Sequence, residues 1–232
     1  MTNKEKFRDT LDSLHKELCD VSDWMYHNPE LGFEEYETSK YLGNFIESKN
    51  AKVNYPSHNL DTAFDVTFGD SGPLVVLCVE YDALPEIGHA CGHNIIATAS
   101  IGAGLGLQDL ADDLGIRVKL LGTPAEEGGG GKIILLDNGA FEDAKCSMMI
   151  HPGYENVVNP TFTTIQQYTV EFFGKDAHAA GAPQEGINAL DAQIQLFVNA
   201  STYRQQMVQS NRMHGVITVS YTHLRAHETE LD

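Results

Sequence analysis

The chain has 232 residues, 42% hydrophobic and 21% charged, which places it among ordinary globular proteins and apart from disordered or fibrous ones. A formal net charge of −18 excludes the basic face on which nucleic-acid binders depend. The longest apolar run, Leu74 to Val79, is too short to cross a bilayer, and the charged, helix-patterned stretch Met1 to Asp20 is unlike a signal peptide.

In chain order, Phe7, Leu11, Leu14, Leu18, Val21 and Met25 recur at helical spacing and predict a helix over 4–27. Asn28-Pro29 stops it, because proline disfavours helix in the residue before it. A second helix is predicted from about Glu34 to Lys49, with Tyr41, Leu42, Phe45 and Ile46 inward. The period then changes. Thr62 to Phe68 alternates, and Leu74 to Val79 is continuously apolar, as in a strand buried on both faces. Arg117 to Leu121 and Ser147 to Ile150 read the same way, with helices expected over Asn94 to Leu110 and Gly131 to Asn138. Strands separated by helices indicate an α/β sheet with helices on both faces. Beyond Thr163, a strand pattern through Ile165, Val170 and Phe172, a helical stretch from Gly186 to about Gln209 and a strand over His214 to Thr218 point to the start of a separate α+β domain.

The four cysteines, Cys19, Cys78, Cys91 and Cys146, do not have the spacing of a small disulfide framework. A reducing, cytoplasmic compartment is therefore expected, with Cys19 and Cys78 as small core residues.

The chemically suggestive residues fall just after strands. Glu80-Tyr81-Asp82 follows Val79, Glu126-Glu127 follows Leu120-Leu121, and His151 follows Ile150. In open α/β sheets, sites form beyond the carboxyl ends of the strands. Three separate segments thus point to one sheet edge.

Cys91 and His93 stand two apart in Gly88-His89-Ala90-Cys91-Gly92-His93-Asn94, and from a loop both can reach one metal ion. The pair alone fits a buried cysteine beside a surface histidine equally well, and His89 reads as a loop residue or a support behind the ligands. Glu126 and Glu127, followed by four glycines, are a sharper signal. Neighbouring side chains diverge, so one carboxylate can bind a cation while the other serves as general base for the water that the cation activates. The competing reading is a charged loop. His151 would add an imidazole, and Asp82 could hold a ligand histidine in one tautomer. Cysteine, histidine and carboxylate together suit zinc best, with manganese or cobalt as alternatives. The ensemble suggests two divalent metal ions a few ångströms apart, an arrangement used for amide hydrolysis.

Glu80 to Asn94 and Gly122-Thr123-Pro124-Ala125-Glu126-Glu127-Gly128 resemble the signatures of the M20 metallopeptidases. The resemblance is to the amidohydrolase branch with aminobenzoyl-glutamate hydrolase subunits and M20 domain-containing protein 2 dipeptidases, and it runs from Trp24 to about Thr218. It implies that Cys91, His93, Glu127 and His151 are metal ligands, that Glu126 is the general base and that Asp82 is the supporting carboxylate. The implied fold is a zinc-peptidase-like mixed sheet with an inserted, ferredoxin-like lid that pairs two subunits. Phe173 to Ala180 looks like the start of that lid, and His178 would reach the partner subunit's site to stabilise an oxyanion. The implied substrates are small N-acyl amino acids or dipeptides, aminobenzoyl-glutamate-like or β-alanyl, with neither nucleic acid nor membrane as partner and a homodimer as the assembly.

In that family the catalytic domain resumes after the lid and contributes a further metal-binding histidine. The expected organisation is therefore 1–162 as the first part of the catalytic domain, 163–218 as a partial lid and 219–232 as a non-native tail. Val219 to Thr229 looks like a translated sequencing-library adapter, which disposes of His223, His227 and Glu228 as a metal-binding face. On this reading the 232 residues alone are inactive, and the rival is a fragment or binding module that keeps the fold without turnover.

Overall fold

The computed structural model describes residues 1–158, 160–161 and 164–218. It divides into two compact units, Met1–Val158 and Asn159–Asp232. The expectation of a non-native tail over 219–232 lies outside the described residues.

The first unit opens with α1 (Asn3–His27), whose start is fixed by a capping box. The Thr2 hydroxyl accepts from the Glu5 amide, and the Glu5 carboxylate accepts from the Thr2 amide at 2.7 Å. Leu14, Val21 and Met25 form the buried stripe of this helix, as its periodicity predicts. Helix α2 (Tyr36–Glu47) buries Leu42 and Ile46. The sheet has four strands, β1 (Asp65–Phe68), β2 (Leu74–Val79), β3 (Arg117–Gly122) and β4 (Ala144–Met148), in the order β1-β3-β2-β4. β1 is antiparallel to β3, whereas β2 is parallel to both β3 and β4. The sheet is therefore mixed. Helices α3 (His93–Leu107), α4 (Ala111–Leu114) and α5 (Gly131–Asp137) lie within the connections between the parallel strands.

Each face of the sheet has its own core. Leu77 and Val79 of β2 pack with α1, α2 and α3 on one side, while Leu74, Val76 and Cys78 pack with Leu135 of α5 and Ala140 on the other. This two-sided burial explains why β2 reads as an unbroken apolar run. Helix α3 is buried nearly all round, so its approach to the sheet leaves little room. A Cβ at Gly104 would sit 2.6 Å from the Leu120 side chain of β3.

Two expectations shift in this unit. β4 begins at Ala144 and ends at Met148, earlier than the apolar run 147–150 implies, because it is an edge strand and most of it is exposed. Cys19 lies on the exposed side of α1, unlike Cys78, because the buried stripe of α1 passes through Val21 and Met25 instead.

In the second unit α6 (Ala189–Tyr203) forms with its N-terminus capped by Asn188, but the strand patterns at 165–174 and 214–218 form no ladder among the described residues. A lone bridge joins Lys175 and Ile187. An extended segment becomes a strand only when a neighbour takes up its amide and carbonyl groups, and within this unit only that bridge does so among the described residues. No helix among them is long and apolar enough to cross a membrane.

Candidate active site

The parallel strands β2, β3 and β4 end on one edge of the sheet, and the residues beyond their carboxyl ends converge. Glu80, Tyr81 and Asp82 leave β2 directly, and all three are buried. The chain then loops to Cys91 and turns into α3 at Gly92, which has φ of +87°. A Cβ at Gly92 would meet Pro152 at 2.9 Å. Glycine between Cys91 and His93 thus supplies the left-handed turn and also lets the segment after β4 come close. That approach brings Cys91 Sγ to 3.5 Å from His151 Nε2.

His93 is the hub. It is fully buried, and its Nδ1 lies 2.8 Å from the Asp82 carbonyl and 3.1 Å from the Asp82 carboxylate. Both partners are acceptors, so Nδ1 carries the proton and Nε2 presents a lone pair. Nε2 has no hydrogen-bond partner although it is buried. Around it stand carboxylate oxygens of Glu80 at 3.6 Å, Glu126 at 3.8 Å and Glu127 at 4.0 Å. A buried Nε2 that faces carboxylates without a partner is costly in a protein interior unless a proton or a metal cation sits between them. The donor atoms form two groups that share His93, namely Cys91–His93–His151 and His93–Glu126–Glu127, each with its atoms within 4.8 Å of one another. Sulfur, imidazole and carboxylate at that spacing fit divalent transition ions.

The electrostatics follow from this crowding. Burial opposes the charged form of His93, but the Asp82 hydrogen bond and the surrounding carboxylates outweigh it and raise the pKa above the usual value. Burial would raise Asp82, yet the hydrogen bonds from His93 and the Glu127 amide prevail and lower it. Burial, then the charge of Glu80, raises Glu126. The Cys91 thiol is pushed up to about 12, by burial first and then by Glu127, Glu126 and Glu80.

The glutamate pair is reached through Thr123, whose hydroxyl and amide both bond the Val79 carbonyl at 3.1 and 2.8 Å. Ala125 before the pair has φ of +53°, and the Glu127 amide donates to Asp82 at 2.8 Å. The first unit therefore brings together Cys91, His93, Glu126, Glu127, His151 and Asp82. His89 is also buried nearby, with neither ring nitrogen hydrogen-bonded. His178 lies in the second unit, exposed, where its Nδ1 accepts from the amides of Ala180 and Gly181 at 3.2 and 2.9 Å. That leaves its Nε2 as the N–H donor.

Lys132 escapes the sequence reading, and Glu80, named there among the residues after β2, is given no role. Glu80 points into the cluster and is ion-paired with Lys132 of α5. The only signal for Glu80 is its place at the end of an apolar strand, two residues before Asp82. Lys132 follows the glycines as any solvated lysine might, and nothing local marks it.

Beyond the ends of its parallel strands the α/β sheet thus gathers thiol, imidazole and carboxylate donors of the kind that hold divalent metal ions. No family model matches the chain. It is 38% identical to the Xaa-Arg dipeptidase of Mus musculus over 92% of this chain and 53% of that protein. It is 29% identical to a subunit of the p-aminobenzoyl-glutamate hydrolase of Escherichia coli, over 91% of this chain and 48% of that protein. Among solved structures, one described as an aminohydrolase of methicillin-resistant Staphylococcus aureus superposes with a TM-score of 0.65 at 21% identity, over 89% of this chain and 59% of that one. A dinuclear metal-binding peptidase of the M20 family from Bacillus subtilis superposes with a TM-score of 0.54 at 24% identity, over 59% of this chain and 42% of that one. The curated relatives and the shared fold support an M20 family amidohydrolase. The chain spans about half the length of the curated relatives it matches.

Proposed function

We propose that the polypeptide carrying this chain hydrolyses the amide bond of small N-acyl amino acids or dipeptides, aminobenzoyl-glutamate-like or β-alanyl and other Xaa dipeptides, with the aid of two divalent metal ions. The observation that carries this reading is the buried, unpartnered Nε2 of His93, faced by Glu126 and Glu127 and fixed in its tautomer by Asp82. Cys91, His93, Glu127 and His151 hold the ions, zinc by the chemistry of the donor set. When bound, the ions acidify a water and polarise the scissile carbonyl.

The chain's own groups do the rest. Asp82 keeps the His93 lone pair aimed at the cluster. Glu126, partly exposed and raised in pKa, takes the proton of the attacking water and passes it to the leaving nitrogen. His178, with Nδ1 engaged by two amides, offers its Nε2–H to the oxyanion of a second copy's site. This makes the protein a homodimer joined through its second unit, and the compartment is the cytoplasm. The dipeptidase and aminobenzoyl-glutamate relatives favour the substrate class.

The test compares Glu126→Gln with Glu127→Gln in a polypeptide extended to the length of the relatives. Glu126→Gln should retain its zinc and lose about 10²–10⁴-fold in kcat, whereas Glu127→Gln should lose zinc. Turnover of Glu126→Gln at the wild-type rate removes Glu126 as the base. A wild-type protein without tightly bound metal removes the whole reading.

A further inference from the structure

Glu35 is a buried carboxylate that the hydrolytic reading does not use. It has no exposed surface, and it occupies the N-cap position of α2 without capping that helix through its side chain. Glu30 does so instead, its carboxylate accepting from the amides of Glu37 and Thr38 at 3.2 and 2.7 Å. Glu35 is thereby released to turn inward, and its Oε1 accepts the amide of Ala125, ninety positions along the chain, at 2.8 Å.

Ala125 is the residue before the glutamate pair, and its φ of +53° is one that an alanine rarely adopts. A non-glycine residue in the left-handed region costs about 1–3 kcal/mol and persists only where its surroundings fix it. The Gly131 amide donates to the Ala125 carbonyl at 3.1 Å, and much of the remaining surroundings comes from one segment. Gly32 lies so close that a Cβ on it would be 3.1 Å from both Cα and Cβ of Ala125, and Phe33, itself at φ of +67°, presses from beside Gly129. The turn 125–127 hangs from two buried carboxylates, Glu35 on the Ala125 amide and Asp82 on the Glu127 amide. Asp82 also serves His93. Glu35 touches none of the donor groups, so its contribution can be separated.

Building on the assignment of Glu126 as base and Glu127 as ligand, we infer that Glu35 is a positioning residue: by accepting the Ala125 amide it locks the left-handed turn from which both glutamates reach His93. It never touches the ions or the substrate. It acts on where the two carboxylates stand.

The experiment uses the polypeptide at the length of the relatives and measures zinc affinity by chelator competition, amide exchange at Ala125, kcat and KM. Glu35→Gln keeps an oxygen for the Ala125 amide and should bind zinc within about threefold of wild type. Glu35→Leu lacks that oxygen and should bind zinc about 10–100-fold more weakly, with rapid exchange at Ala125 and a fall in kcat at nearly constant KM. If Glu35→Leu does not fold, Glu35→Ser, too short to reach Ala125, replaces it with the same expectation. Wild-type zinc affinity in the folded Leu or Ser variant overturns the inference, as does equal damage in Glu35→Gln. A wild-type protein that binds no zinc overturns the metal reading of the pair and this inference with it, so the two failures are told apart.

Discussion

Glu35→Gln removes the proton-binding group of a carboxyl side chain with no exposed surface while keeping an oxygen for the Ala125 amide. Burial raises the Glu35 carboxyl from 4.5 to about 7, against the hydrogen bonds from its own backbone and from Ala125, which pull it down. The negative charge of Asp82 adds to the rise. A folded-state pKa above the unfolded one means that stability is greatest while both states hold the proton. Between about pH 4.5 and 7 the unfolded chain gives up that proton and the folded one keeps it, so stability falls with rising pH and stays low above 7. At 1.36 kcal/mol per pH unit, the loss over that window is about 3 kcal/mol. Glutamine has no such dependence. Urea denaturation of metal-free protein, followed by the fluorescence of Trp24 in its stack on Tyr41, should therefore show Glu35→Gln gaining about 3 kcal/mol on wild type between pH 4.5 and 8. Other groups titrate in both proteins and cancel in the difference. A difference flat across that range, or one that favours wild type as pH rises, refutes the reasoning.

Lys132→Met strands Glu80, which is 1% exposed, without its counter-ion and should cost about 3 kcal/mol in urea denaturation. Adding Glu80→Gln should recover most of that loss, and no recovery means the ion pair is not its source. Asp82→Asn takes the carboxylate from His93 Nδ1 but leaves the Asp82 carbonyl, and should weaken zinc binding about 10–100-fold in a folded protein; calorimetry at wild-type affinity removes the carboxylate's part in holding His93. Because the metal-free Cys91 thiol stays protonated up to about 12, zinc binding at pH 8 must expel its proton. Wild type should release about one proton more than Cys91→Ser when calorimetry is repeated in buffers of different ionisation heat, and equal release removes Cys91 from the ligand set.

What could be read from the sequence follows from how local each signal is. β2 announces itself because both of its faces are buried, and α1 because one stripe of it is. Asp82, Cys91, His93, Glu126 and His151 stand out because each comes just after an apolar run or within a glycine-rich turn. Glu80 shares that position after an apolar run, but nothing local gives it a role, and Lys132 and Glu35 carry no such mark. Lys132 pairs with a strand end 52 residues earlier and Glu35 with an amide 90 residues later, and no local pattern encodes such distances. The start of β4 is hidden for a related reason, since an edge strand with exposed side chains has no continuous apolar run to mark it. The strand patterns of the second unit show the opposite failure. The strand pattern at 165–174 states a preference that only a neighbouring strand can realise, and among the described residues none pairs with it.

The donors of the cluster sit beyond the ends of β2, β3 and β4, strands that the backbone joins only through long crossovers. A cation held by Cys91, His93 and His151 is, in polymer terms, a cross-link. It subtracts configurations from the unfolded chain, and in the folded one it ties down the end of β4, which has a strand on one side only among the described residues. Occupancy of the cluster and order of that outermost strand are then two readings of one equilibrium. When the ion leaves, the rim of the sheet at β4 should exchange its amides first, while β2, pinned from both sides, holds.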